Sequence, residues 1–115
     1  MYRTEKTLQA RLQESRRIKT RYADRLPVIC ERSSKCTKLA PIDKRKFLVP
    51  RDLTTGQFLY VVRKRLQLDP SQAIFLMTES GRLPASSQTV EMVYSQDAHE
   101  DGFLYMFYTG ENTFG

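Results

Sequence analysis

Apolar positions along the chain follow two periods, and the switches between them delimit the elements. Over residues 4–22, Leu8, Leu12, Ile18 and Tyr22 recur among Arg11, Arg16, Arg17, Lys19 and Arg21, which predicts helix with a thin apolar stripe. So narrow a stripe cannot support a free helix. The segment should dock on the rest of the chain and turn a cationic face to water, and the polar stretch 7–10 is where it would break. Residues 26–31 (LPVICE) read as a first strand, with Pro27 near its start, where a missing N–H is tolerated. The polar run 32–41 is a loop longer than a tight hairpin. Lys46–Pro50 is a second short strand, and its closing proline cannot donate to a ladder, which places it at a sheet edge.

The following helix start is written out in full. Thr54 stands as N-cap, Gln57 three residues on is its capping-box partner, and Leu53 with Phe58 has staple spacing. Phe58, Val61, Val62 and Leu66 continue at helical intervals, and Arg63, Lys64 and Arg65 fall where cations either offset the helix dipole or serve a binding surface. Asp69-Pro70 marks a turn, 74–77 an unbroken apolar strand of the buried kind, and 79–82 a tight turn with Gly81 in the left-handed position. Residues 86–94 predict a short helix with Val90, Val93 and Tyr94 facing inward, and 97–101 a solvated acidic loop. The run 103–108 (FLYMFY), the most hydrophobic in the chain, belongs in the middle of the sheet. Strand pair, helix, strand, short helix and central strand make an α+β fold, for which a β-grasp roll is the simplest arrangement.

Composition narrows the possible functions. With 115 residues the chain suits one domain, burying about two thirds of its unfolded surface. No apolar run approaches a membrane span, and residues 1–25 are too charged for a secretory signal, so a cytosolic protein is expected. Residues 1–65 hold 18 Lys and Arg against six Asp and Glu, and residues 66–115 one against seven, so the net +6 divides into +12 and −6. The basic part should attract acidic peptides, headgroups or polynucleotide at low salt. Cys30 reads as a small core residue and Cys36 as an exposed free thiol, and neither has companions for a metal site. His99 sits among Asp97, Glu100 and Asp101 in a polar loop rather than a pocket, and no nucleotide-binding or hydrolase motif is present. The sequence offers binding surfaces rather than catalysis, with no catalytic residue, metal or cofactor of its own.

Longer stretches carry a resemblance. KRKFLVPRDLTTGQF, RKRLQL, EDGFLYM and the terminal NTFG, with Arg11 and Glu14 as RxxE and DRLPVI at residues 24–29, closely resemble the ubiquitin-like autophagy modifiers, the family of microtubule-associated protein light chain 3 and the GABA-receptor-associated protein. The resemblance implies a ubiquitin-like β-grasp domain over residues 25–110, an N-terminal extension of two helices over 1–24, and a flexible conjugation tail over 111–115. It implies conjugation of Gly115 to phosphatidylethanolamine on autophagic membranes, with Thr113 and Phe114 in the segment entering a processing cysteine protease and the activating-like and conjugating-like enzymes. Glycine suits that position because it has no Cβ to block a narrow channel. The lipidated form would lie peripherally on autophagosome and lysosome or vacuole membranes.

The second implied activity is capture of short acidic aromatic-x-x-aliphatic motifs of cargo receptors, which agrees with strand addition at the edge Lys46–Pro50. By resemblance the aromatic pocket comprises Glu14, Ile18, Pro27, Ile29, Lys46, Leu48 and Phe103. The aliphatic pocket comprises Phe47, Val49, Pro50, Phe58, Val61 and Val62, and Lys44, Lys46 and Arg65 meet acidic flanks. From the residues alone, Ile29, Leu48 and Phe103 read more readily as ordinary core than as a pocket. The rival reading is a basic module for RNA or microtubules acting without lipid conjugation. No interleaved aromatic-basic pattern supports base reading, which disfavours nucleic acid as the partner.

Overall fold

A computed structural model of the chain describes residues 1–111. Its elements in order are α1 (Tyr2–Glu5), α2 (Leu8–Arg21), β1 (Arg25–Arg32), β2 (Lys46–Pro50), α3 (Thr55–Leu66), β3 (Phe75–Thr78), α4 (Val90–Asp97) and β4 (Leu104–Thr109). The strands form one sheet in the order β2-β1-β4-β3. β1 and β4 run parallel, and the outer pairs are antiparallel. This is the ubiquitin-like α+β roll, with β4 interior as its hydrophobicity requires.

Two cores lie on opposite faces of the sheet. Val28 and Cys30 of β1, Phe47 and Val49 of β2, and Leu104, Met106 and Tyr108 of β4 pack with Phe58 and Val62 of α3 and Val90 and Val93 of α4. The alternate residues Ile29 and Tyr105, with Phe103, pack with Tyr2 of α1 and Ile18 of α2. Because β1 and β4 are covered on both sides, they read as continuous apolar runs rather than alternating ones.

Local signals set the helix starts. Thr54 Oγ1 accepts the Gln57 N–H at 3.1 Å while Gln57 Oε1 accepts the Thr54 N–H at 2.9 Å, the reciprocal box its spacing predicts. Thr7 caps α2 by accepting the Ala10 N–H at 3.1 Å, so the N-terminal segment breaks at Lys6 and Thr7. In the turn after β3, Gly81 has φ +88, and the Thr78 N–H donates to Arg82 O at 2.8 Å.

Four expectations are corrected. The buried face of α2 is Arg11, Ser15 and Ile18, not a Leu8 to Tyr22 stripe; Leu8 and Tyr22 are exposed. The helix docks through polar bonds: Arg11 Nη1 donates to Asp101 Oδ2 at 2.5 Å, and Ser15 Oγ donates to Asp101 O at 2.5 Å. The acidic loop is therefore anchored inward at Asp101 rather than wholly solvated, with Glu100 left exposed. Asp101 is 0% exposed and also accepts from the Tyr105 hydroxyl at 2.6 Å and the Phe103 N–H at 2.9 Å. His99 is partly enclosed as well, stacked edge-to-face on Tyr105 at 5.7 Å, with Nδ1 accepting the Asp101 N–H. Gly102, at φ +89, lets the helix approach, since a Cβ there would stand 2.4 Å from Ser15 Oγ.

The third correction concerns β3, an edge strand with alternating burial rather than a fully buried one. The fourth is Cys36, only 4% exposed. Burial raises its pKa, but N–H groups of Gly110, Leu39 and Lys38 point at the sulfur and bring it net below the ordinary thiol value.

Two outcomes follow from the Arg11–Asp101 pair. Arg11→Ala strands a buried carboxylate and should cost about 3 to 5 kcal/mol in urea unfolding. Burial raises the Asp101 pKa, but its bonds from Tyr105, Phe103 and Arg11 outweigh that and hold it below the usual value. Its contribution is therefore present above the unfolded Asp pKa of about 3.9 and lost as pH falls through the depressed folded value. The acid limb of stability against pH should be steeper for the natural protein than for Asp101→Asn.

Candidate functional site

The site begins with the unpaired margin of β2. Its register sets Phe47 opposite Val28 and Val49 opposite Leu26, and the Cys30 N–H donates to Arg45 O at 2.7 Å. In an antiparallel pair the hydrogen-bonded positions alternate, so Arg45, Phe47 and Val49 turn their peptide groups toward β1. Lys46 and Leu48 turn theirs away, toward the side where none of the described residues forms a strand. Pro27 falls opposite Leu48, a position where no ladder bond is lost. Pro50 closes the margin: it has no N–H, and its carbonyl accepts the Leu53 N–H at 3.1 Å. What remains open is one short step of backbone at Lys46 and Leu48. Arg25 Nη1 rests on Leu48 O at 3.3 Å.

Beside this margin, between α2 and β2, lies a hollow of about 380 Å³. From α2 and its end come Glu14, Arg17, Ile18, Arg21 and Tyr22; from the β2 side come Lys44, Lys46 and Leu48. Of the residues expected in an aromatic pocket, Glu14, Ile18, Lys46 and Leu48 line the hollow. Ile29 and Phe103 are fully buried in the cluster containing Ile18 and packed by Leu48, and Pro27 is buried in β1. They stand behind the lining rather than in it.

The hollow carries a strong field. Among the described residues that line it, four cations face one carboxylate, Glu14, which is paired with Lys46 and accepts the Tyr2 hydroxyl at 2.7 Å. Burial pushes the Glu14 pKa up, but the bonds from Lys46 and Tyr2 prevail and the net shift is downward, so it is ionised at neutral pH. Lys44 Nζ lies 5.2 Å from the centre of the Phe47 ring. Arg65, expected among the flank cations, donates to Asp43 Oδ1 at 3.0 Å.

The residues expected in an aliphatic pocket divide differently. Phe47, Val49, Phe58 and Val62 are buried in the main core, with the Phe47 and Phe58 rings edge-to-face at 5.4 Å. Pro50 is half-buried and Val61 exposed, so these two carry the outer surface of that group. Thr113, Phe114 and Gly115 lie outside the described residues.

Sequence reasoning missed Arg17, Arg21 and Tyr22 as lining residues. Their spacing from Glu14, three, seven and eight residues on, puts them on one helical face and could have found them. Tyr2 had no such signal, because it belongs to a separate helix. Among the described residues no cluster of His, Cys, Asp and Glu could hold a metal, and no helix is long and apolar enough to cross a membrane.

Comparison with known proteins agrees with this architecture. The family profile described as "Autophagy protein Atg8 ubiquitin like" matches residues 10–115. Autophagy-related protein 8A of Oryza sativa subsp. indica is 50% identical over 114 residues, covering 99% of this chain and 94% of that protein. Autophagy-related protein 8 of Emericella nidulans is 48% identical over 114 residues, covering 99% and 95%. The crystal structure of Trypanosoma brucei ATG8 superposes with a TM-score of 0.89 at 43% identity, covering 99% of this chain and 97% of that one. With its interior β4, its open β2 margin and these relatives along nearly its whole length, the chain belongs to the Atg8 family of ubiquitin-like autophagy proteins.

Proposed function

We propose that the protein is a modifier joined through Gly115 to phosphatidylethanolamine on autophagic membranes, where it recruits cargo receptors by capturing acidic aromatic-x-x-aliphatic segments as an added strand on β2. The observation that carries the capture reading is the pair of outward peptide groups at Lys46 and Leu48 beside a cation-lined hollow. An extended segment can satisfy those groups while its aromatic side chain enters the hollow and its acidic residues meet Lys44 and Lys46. Phe103 and Ile29 supply the apolar backing once Leu48 and Ile18 adjust around the ring. For the aliphatic residue, exposed Val61 and half-buried Pro50 offer apolar surface backed by Phe47, Phe58 and Val62.

The magnitudes suit a reversible interaction. An aromatic side chain buries about 150 to 250 Å², worth about 4 to 6 kcal/mol gross. Association and ordering costs take much of that, leaving affinity of roughly micromolar order. Lipid linkage changes the regime, because two acyl chains at about 0.8 kcal/mol per buried CH₂ anchor stably and gather many copies on one surface. The processing protease and the two conjugating activities would act on the segment containing Thr113 and Phe114.

Titration of the isotope-labelled protein with an acidic aromatic-x-x-aliphatic peptide should shift the Lys46 and Leu48 amides first and saturably, with affinity falling as salt rises. Absence of saturable shifts there would refute strand addition. Reconstituted lipidation with the family's activating and conjugating enzymes should give a membrane-bound product that Gly115→Ala abolishes. An undiminished product from the variant would refute conjugation at that glycine.

A further inference from the structure

Glu14 is the one carboxylate among the described residues lining the hollow, and both its oxygens are engaged: Lys46 Nζ holds Oε1, and the Tyr2 hydroxyl donates to Oε2 at 2.7 Å. Tyr2 reaches it from α1. The side chain is 2% exposed, its ring meets Phe103 edge-to-face at 5.4 Å, and its backbone N–H donates to Glu31 Oε2 at 2.9 Å. Burial, and then the bond to Glu14, push the Tyr2 pKa upward, so the hydroxyl is a donor at neutral pH.

We infer that Tyr2 is a positioning residue for the hollow: its hydroxyl keeps Glu14 satisfied when an acidic ligand draws Lys46 away. The inference rests on the peptide-capture reading above and adds what controls its preference for acidic segments. A Lys46 ammonium that turns toward a ligand carboxylate loosens its hold on Glu14, whose side chain is only 14% exposed. A carboxylate so enclosed is costly to leave without donors. Lys6 Nζ at 3.8 Å and Arg17 Nη2 at 4.0 Å stand beyond hydrogen-bond reach, so the Tyr2 hydroxyl is the direct contact that stays. A segment without acidic residues leaves Lys46 on Glu14 and gains nothing from Tyr2. Through this contact, α1 sets the charge selectivity of a site it does not line.

The test uses two peptides with the same aromatic-x-x-aliphatic core, one with acidic and one with neutral flanks. Each is titrated into the full chain, Tyr2→Phe, Glu14→Gln and the double variant, with the Lys46 and Leu48 amide shifts as readout. Tyr2→Phe keeps the ring on Phe103 and removes only the hydroxyl. It should weaken the acidic peptide about fivefold to tenfold and leave the neutral one within about twofold. In the Glu14→Gln background the Tyr2→Phe effect should vanish, the non-additivity expected of groups in one network. Equal losses for both peptides, no loss for the acidic one, or a loss that persists without Glu14 would overturn the positioning role. Failure of the natural chain to bind either peptide would overturn the capture reading itself.

Discussion

A buried ion pair decides where α2 lies, and the hollow beside β2 exists only because it lies there. Arg11 of α2 and Asp101 of the loop before β4 meet at 2.5 Å with almost no solvent around either. Taking two charges out of water costs several kcal/mol apiece, so such a pair is a poor source of net stability. Its value is positional. An apolar stripe tolerates sliding and rotation, whereas Asp101, with Tyr105, the Phe103 N–H and Ser15 also fixed on it, accepts one placement of α2. That placement packs Ile18 against Ile29 and Phe103 and sets Glu14, Arg17 and Arg21 opposite β2 across the hollow.

The second determinant is the way β2 is sealed on one face and left open at its margin. Phe47 and Val49 are locked into the main core by Phe58 and Val62, and the capping box fixes where α3 begins, so these contacts have no freedom of register. Lys46 and Leu48 alternate to the other face and line the hollow. An unpaired strand margin invites indiscriminate pairing, which proteins restrain with short length, lysines and proline. All three are present: five residues, Lys46 with Lys44 just before it, and Pro50 at the end. The open backbone is thereby limited to one step, in keeping with a short extended ligand rather than another whole sheet.

Charge links these two features. The basic excess of residues 1–65 is not spread evenly over the surface, since Arg17, Arg21, Lys44 and Lys46 converge on the hollow. Other cations serve the fold itself: Arg63 donates to the carbonyls of Gln72 and Asp69, tying the end of α3 to the loop before β3. The single carboxylate among the hollow's cations, Glu14, connects the site to α1 through Tyr2.

Where structure depends on neighbours within a few residues, the sequence by itself determined it. The strand Lys46–Pro50, the Thr54 and Gln57 box, the Gly81 turn and the interior position of 103–108 all follow from backbone donors, left-handed angles or a doubly covered strand. Only the tertiary structure decided which face of α2 turns inward, because its anchors are Arg11 and Ser15, residues whose polarity marks them as surface until Asp101 arrives from 90 positions away. The same holds for Cys36, enclosed by backbone N–H groups including one from Gly110, and for β3, whose apolar run conceals an edge. A polar residue's burial depends on a partner that closes its hydrogen bonds, and that partner is named by the fold rather than by the local pattern.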